Sequence, residues 1–147
     1  LAGQDVSSSI REEKAGEAAS VVAAHPQVRA RLLQIQHDFF QPPGLVADGR
    51  DMGSVVFPDA KIKLYLHASA EERAKRRYNQ LIHMGLSASI AALQQEIEAR
   101  DERDRTRTVA PLVPAPDAVV VDSSMMGPDQ VFELVMDHIN MINNKQG

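Results

Sequence analysis

Hydrophobic positions along the chain repeat with two periods, and together these predict helices alternating with strands. Over residues 11–24 the pattern is Ala-rich and helical, with Ala15, Ala18, Ala19 and Val22 on one face, until His25-Pro26 interrupts it. Pro26 opens a second helix. Val28, Leu32, Ile35 and Phe39 step by four, three and four, a single stripe that ends before Pro42-Pro43-Gly44. Leu45, Val46 and Ala47 then form a short apolar run that meets Asp48-Gly49 abruptly, as a buried strand does where it leaves an α/β sheet. Beyond a turn at Pro58-Asp59, Ile62, Leu64 and Leu66 alternate with Lys61, Lys63, Tyr65 and His67, the period of a second strand. Ser69-Ala-Glu-Glu72 reads as a capping box for a helix over 70–84, with Gly85 placed to end it. Another helix starts at Ser87 or Ser89. Residues 118–121 form a third buried-type strand, and Gly127-Pro128-Asp129 opens a last helix whose stripe is Val131 or Phe132, Val135, Ile139 and Ile142. Residues 1–6 read as a strand end or a turn. Strands alternating with helices predict an α/β fold with a parallel sheet.

Phase then separates charges that belong to the interior from charges that do not. In the helix after Ser87 the apolar stripe Ile90, Leu93, Ile97 continues, by the same steps of three and four, into Arg100, Asp104 and Arg107. A solvated run of charge has no reason to hold that phase. The three are predicted to point inward, where they must be paired or meet a ligand; Arg103 and Arg105 are left undecided. Asp48-Gly-Arg-Asp51 lies at the end of the first predicted strand, where crevices in open sheets bind ligands, so Asp48, Arg50 and Asp51 are candidates for a phosphate or sugar site. A charged turn with Gly49 and Gly53 at positive φ accounts for that stretch equally well. The basic helix with Arg73, Lys75, Arg76 and Arg77 reads by itself as a solvated surface, and Arg29, beside an apolar stripe, as a rim residue. Ser20, beside an Ala face, carries no signal alone.

Composition narrows the function classes. With 147 residues, 44% hydrophobic and 24% charged, the chain suits one folded domain. A formal charge of -4 and 4% aromatic residues argue against binding a nucleic-acid polymer or an anionic membrane, and no apolar run reaches membrane-spanning length. There is no Cys, and the five His lack ligand spacing. The chain opens at Leu1 without a Met, which suggests a piece of something longer.

Four motifs, in order, carry a resemblance. Ala18-Ala-Ser20 with Pro26-Gln-Val-Arg29, Ala47-Asp-Gly-Arg-Asp-Met-Gly-Ser-Val-Val-Phe-Pro58, Arg100-Asp-Glu-Arg-Asp-Arg-Thr-Arg107 with Val109-Ala-Pro-Leu112, and Val120-Val-Asp-Ser123 resemble bacterial cytidylate kinases. The resemblance implies a nucleoside monophosphate kinase fold, a three-layer α/β/α with a parallel sheet, here an incomplete P-loop kinase core. It implies transfer of the γ-phosphate of ATP, with Mg²⁺, to CMP or dCMP, giving CDP or dCDP and ADP, by a cytoplasmic enzyme that is a monomer when full length. Carried over by motif, Ser20, Arg29, Asp51 and Arg107 would read the cytosine, Arg100 and Asp104 would hold the ribose side, and Arg50 would hold the acceptor phosphate. Asp48 would act near magnesium-bound water, with no direct metal ligand. Arg73, Arg76 and Arg77 would belong to the lid and meet the ATP phosphates, and Arg77 joins Arg50 and Asp48 as the catalytic set. The implied regions are 1–44, the end of the CMP-binding insertion and a returning helix; 45–68, core strands with the acceptor loop; 69–110, lid helices and a nucleotide-contacting arm; and 111–147, the last core strand and helix. The family's phosphate loop, G-x-x-x-x-G-K-[ST], does not occur here, nor does the central strand that accompanies it. The chain alone is therefore expected to be inactive, and poorly stable or oligomeric. The alternative is a non-catalytic nucleotide-binding or interaction module.

Overall fold

The computed structural model describes residues 3–7, 9–11, 13–23 and 25–144, and their side chains except those of residues 11, 13, 14, 17 and 20. A short 3-10 turn at Ser9–Arg11 precedes α1 (Glu13–Ala23) and α2 (Pro26–Asp38). A single π-turn at Met52–Val56 follows, then β1 (Leu64–His67), α3 (Ala70–His83), α4 (Ile90–Thr106), β2 (Val119–Asp122) and α5 (Pro128–Asn144). The fold is mixed α/β.

The helix boundaries follow from capping chemistry. Ser69 Oγ accepts from the Glu72 amide at 3.2 Å, so the capping box opens α3 as the sequence predicts, and Glu71 and Glu72 lie in its first turn, where the helix dipole favours acids. Gly85, at φ 76°, takes the left-handed turn that ends the helix. Ser89 caps α4 through the Ala92 amide at 3.5 Å, and Pro128 is the first residue of α5. On α5 the half-buried positions are Val131, Val135, His138, Ile139 and Ile142, while Phe132 is exposed, which resolves the alternative left open by the pattern.

β1 and β2 pair in parallel, with Leu64 opposite Val119 and His67 opposite Asp122. The ladder continues at both ends through Val119 N to Lys63 O (2.9 Å) and Ser123 N to His67 O (2.8 Å). α3 and α4, packed on each other, make the crossover between them. Ala74, fully buried on α3, permits that close approach.

Several sequence expectations are corrected here. Residues 45–47 form no strand: Val46 is 99% exposed, and among the described residues no strand pairs with this run. The sheet has two strands where three were expected. An apolar run becomes a buried parallel strand only when neighbours supply its backbone partners and cover both faces, and the central strand implied by the resemblance is not in this sequence. Leu66, expected inside, is 57% exposed for the same reason. On α2 the predicted stripe is inward only at its start: Val28 is half-buried, but Leu32, Ile35 and Phe39 are exposed, whereas Arg29, Leu33 and Gln36, one position on, are half-buried. On α1, Ala15 is half-buried as expected, but Ala18, Ala19 and Val22 are exposed and Gly16 and Ala23 half-buried, so the packed face is again rotated. Residue 24, the predicted end of that helix, lies outside the described residues. On α2 the face that packs is the one that carries Arg29 to its ion pair with Asp51, not the most apolar line.

Candidate functional site

The longest-range prediction from phase holds. α4 carries Arg100, Asp104 and Arg107 inward, with Asp104 only 3% exposed, although its surroundings are charged rather than apolar. Asp104 Oδ2 pairs with Arg50 Nη1, and its Oδ1 lies 3.8 Å from Arg107 Nη1. A carboxylate this deep is stable only with such partners. Backbone contacts fix the same corner: Leu112 N donates to Asp104 O at 2.8 Å, and Arg107 Nε donates to Ala110 O. Ala110 sits at φ 49°, a left-handed conformation that is unfavourable for a residue with a Cβ, and the hydrogen bond to Arg107 helps hold it there. Arg103 and Arg105, which phase left undecided, are exposed; Arg105 pairs with Glu102 along the helix.

The opposite wall is made by α2 and the π-turn. Arg29 Nη2 pairs with Asp51 Oδ2, and Arg29 Nη1 reaches Ala23 O at 3.4 Å, so this arginine ties the end of α1 to the loop before the π-turn and is no rim residue. The Asp51 carbonyl accepts from both Val55 N (2.9 Å) and Val56 N (3.1 Å), the wide turn that makes Met52–Val56 a π-turn; such turns concentrate at functional sites. Gly49 and Gly53 are not at positive φ. Gly49 is closely approached instead: a Cβ there would stand 2.9 Å from Met52 Cγ, so the Met52 side chain would have to shift. His37 Nε2 lies 2.6 Å from Val56 O and its ring is 5.5 Å from that of Phe57, which clamps the turn to α2. Only donation from Nε2 to that carbonyl satisfies both atoms.

These walls enclose a cleft of about 320 Å³ lined by Arg29, Arg50, Asp51, Arg100, Asp104 and Arg107, with Ala19 and Ala23 of α1 on one side. Six of the seven substrate-binding candidates are therefore brought together. Ser20 is on α1, and its side chain lies outside the described residues. Arg50 is also shared with a second cleft, about 490 Å³, which contains Asp48, β1, Arg73 and Asp101. Asp48 thus faces a different opening from Asp51, three residues on. Burial holds the Arg50 guanidinium below its ordinary value and the charge of Arg100 acts in the same direction, while Asp104 and Asp101 oppose both.

The three arginines of α3 differ. Arg73 makes a two-pronged pair with Asp101 on α4 and donates from Nε to Ala68 O at 3.1 Å, and it lines the second cleft. Arg76 donates to the Ser123 carbonyl at 2.6 Å and pairs with Glu72. Arg77 donates to Gln80 Oε1 at 2.8 Å. Sequence reasoning missed Asp101 and His37. Asp101 is four residues beyond Ile97, on the edge of the inward line already drawn, so phase alone could have found it. His37 is four beyond Leu33 and became legible only with the corrected face of α2. Among the described residues no group of three or more His, Cys, Asp or Glu could hold a metal, and no helix is long and apolar enough to cross a membrane.

Comparison with known proteins places this geometry. A family profile described as Cytidylate kinase matches residues 1–141. The chain is 59% identical over 140 residues to a cytidylate kinase of Shewanella sp. (strain W3-18-1), covering 95% of this chain and 61% of that protein. It is 56% identical over 139 residues to a cytidylate kinase of Azotobacter vinelandii (strain DJ / ATCC BAA-1303), at 95% and 61% coverage. The chain thus spans about three fifths of the length of the curated relatives it matches. With two arginine-carboxylate pairs gathered in one cleft and a profile match over nearly its whole length, the chain belongs to the cytidylate kinase family.

Proposed function

We propose that this chain is the acceptor-binding and lid part of an enzyme that transfers the γ-phosphate of ATP to CMP or dCMP, giving CDP or dCDP and ADP. One observation carries the reading: Asp104, buried at 3%, is paired with two arginines in the same cleft as the Arg29–Asp51 pair. Acids and bases at such density, satisfied by one another when the cleft is empty, are suited to exchanging partners with a polar, anionic ligand. Asp51 and Arg29, with Arg107 and Ser20, read the base; Arg100 and Asp104 take the sugar side; Arg50, shared by both clefts, takes the acceptor phosphate. The four regions 1–44, 45–68, 69–110 and 111–147 then serve as insertion, acceptor core, lid and closing strand of a three-layer nucleoside monophosphate kinase core.

In this reaction the protein acts chiefly by position and charge. Arg50 orients the acceptor oxygen and offsets charge on the phosphate. Asp48, a single exposed carboxylate in the second cleft, matches the sparse protein donor set of Mg²⁺, which keeps most of its waters. When bound with ATP that ion supplies neutralisation of the phosphate charge. Arg73, Arg76 and Arg77 sit on the lid helix, and Arg77, which also donates to Gln80 Oε1 within that helix, is the arginine we assign to closure over the transferred group.

No G-x-x-x-x-G-K-[ST] occurs in the 147 residues, so the chain alone is expected to bind CMP without turning it over. Calorimetric titration with CMP and UMP, beside a coupled assay with CMP and ATP, tests both halves. Absence of CMP binding would overturn the cleft assignment, and turnover would overturn the inactivity. The missing phosphate loop equally suits a non-catalytic nucleotide-binding module; restored turnover on joining the chain to the N-terminal two fifths of a relative would decide for the enzyme.

A further inference from the structure

Gly16 stands in the middle of α1, where glycine is the least favourable residue after proline. Its φ is not positive, so the backbone does not require glycine. What the glycine leaves is room: a Cβ at Gly16 would stand 3.3 Å from Arg100 Nη1 and 3.9 Å from both Cζ and Nη2, so the Arg100 guanidinium would have to give by a few tenths of an ångström. The Arg100 guanidinium therefore lies against the helix at the one residue that lets it. Ala19 and Ala23, one and two turns further along the same helix, continue as the wall of the acceptor cleft.

We infer that Gly16 is a positioning residue for the acceptor site: by lacking a side chain it fixes where the Arg100 guanidinium presents itself to the sugar side of a bound nucleotide. The inference rests on the acceptor-cleft reading given above. The atoms that an added methyl would meet are the far end of a flexible side chain, which can swing aside. A methyl group is then well tolerated by the fold and improves the helix, yet it displaces a group whose placement matters to the ligand. Stability and affinity move in opposite directions, which a purely structural glycine would not produce.

The test compares the chain with Gly16→Ala, Arg100→Ala, the double variant, and Gly127→Ala, whose added Cβ would meet only Gln130 Oε1 at 3.7 Å. CMP affinity is read by calorimetry and thermal unfolding by helical circular dichroism. Gly16→Ala is expected to weaken CMP binding about three- to tenfold, the scale of one misplaced charged hydrogen bond, and to raise the melting temperature by about 2–4 °C. The Arg100 Nε–Hε resonance, assigned by its loss in Arg100→Ala, is expected to move without ligand in Gly16→Ala and to stay in Gly127→Ala. In the Arg100→Ala background the added methyl is expected to have no further effect on binding. Binding within twofold of the parent, an unmoved Arg100 resonance, or a loss of affinity accompanied by a lower melting temperature would each overturn the inference. If the parent chain itself does not bind CMP, the acceptor-cleft reading fails and the inference falls with it.

Discussion

The arginine-carboxylate cleft and the sheet differ in how far this chain completes them. In the cleft, α2, the π-turn and α4 bring every buried acid to an arginine: Asp51 to Arg29, Asp104 to Arg50 and Arg107. In the sheet two strands stand alone, with Leu66 57% and Val120 54% exposed. Side-chain pairs between helices need only two partners, and both are present here. A strand in a parallel sheet needs backbone partners on two edges and cover on two faces, which two strands cannot give each other. The site's chemistry is thus held by a smaller and more self-sufficient set of contacts than the layer that the family places beneath it.

If that contrast is right, the largest single loss comes from the cleft. Asp104→Asn keeps the shape and removes the charge that Arg50 and Arg107 share. Breaking a fully buried pair costs about 3–5 kcal/mol, and because Arg50 keeps a third of its exposure the low end, roughly 3 kcal/mol, applies. For a chain of this size that lowers the melting temperature by about 6–12 °C, and CMP binding is expected to vanish with it. A change of less than about 2 °C would mean the arginines find water readily and the cleft is not self-sufficient.

Asp51→Asn sharpens the contrast inside the cleft. Cytosine offers an amino donor where uracil offers a carbonyl, so a carboxylate favours one base electrostatically. The variant is expected to lose roughly 10- to 100-fold of the preference for CMP over UMP, read as a ratio of dissociation constants. Because Asp51 also anchors Arg29, Arg29→Ala is expected to weaken both nucleotides. An unchanged ratio in Asp51→Asn would assign Asp51 to holding the π-turn alone.

What was legible in the sequence divides along the same line. The caps at Ser69 and Ser89, the stop at Gly85 and the inward turn of Arg100, Asp104 and Arg107 are local or periodic, and each is visible in a window of a few turns. Residues 45–47 have the composition of a buried strand, but whether they form one depends on partners far off in sequence, so their composition misled. The faces of α1 and α2 were misjudged for a related reason. Apolar residues marked the wrong line on α2 because the half-buried line carries Arg29 and Gln36, and a polar residue signals packing only when its partner, here Asp51 for Arg29, is known.

The sheet supplies a smaller effect. Leu66→Lys puts a charge on the exposed face of β1 and is expected to change stability by no more than about 0.5 kcal/mol, while reducing self-association in analytical ultracentrifugation. A destabilisation as large as that of Asp104→Asn would show that this face is covered in solution, and the comparison between the two regions would break.

Acid separates the regions last and least. Lys63, just before β1, donates to both oxygens of Asp117, just before β2, at 2.9 and 2.7 Å, and this holds Asp117 below its ordinary 3.8. Asp122 at the end of β2 is held below 3.8 by the hydroxyl and amide of Ser124. Both carboxylates are more acidic folded than unfolded. Their contribution is therefore fully present above the unfolded value and disappears as pH falls through the lowered ones, below about pH 4. Both are open to solvent, so the effect is small. Asp117→Asn is expected to melt below the parent at pH 6 and together with it once the parent's carboxylate is protonated. Measured melting curves of the two proteins at pH 6, 4 and 3 give the answer: a gap that persists undiminished at pH 3 would show that the Lys63–Asp117 clip acts through packing, and that the sheet ends owe little to charge.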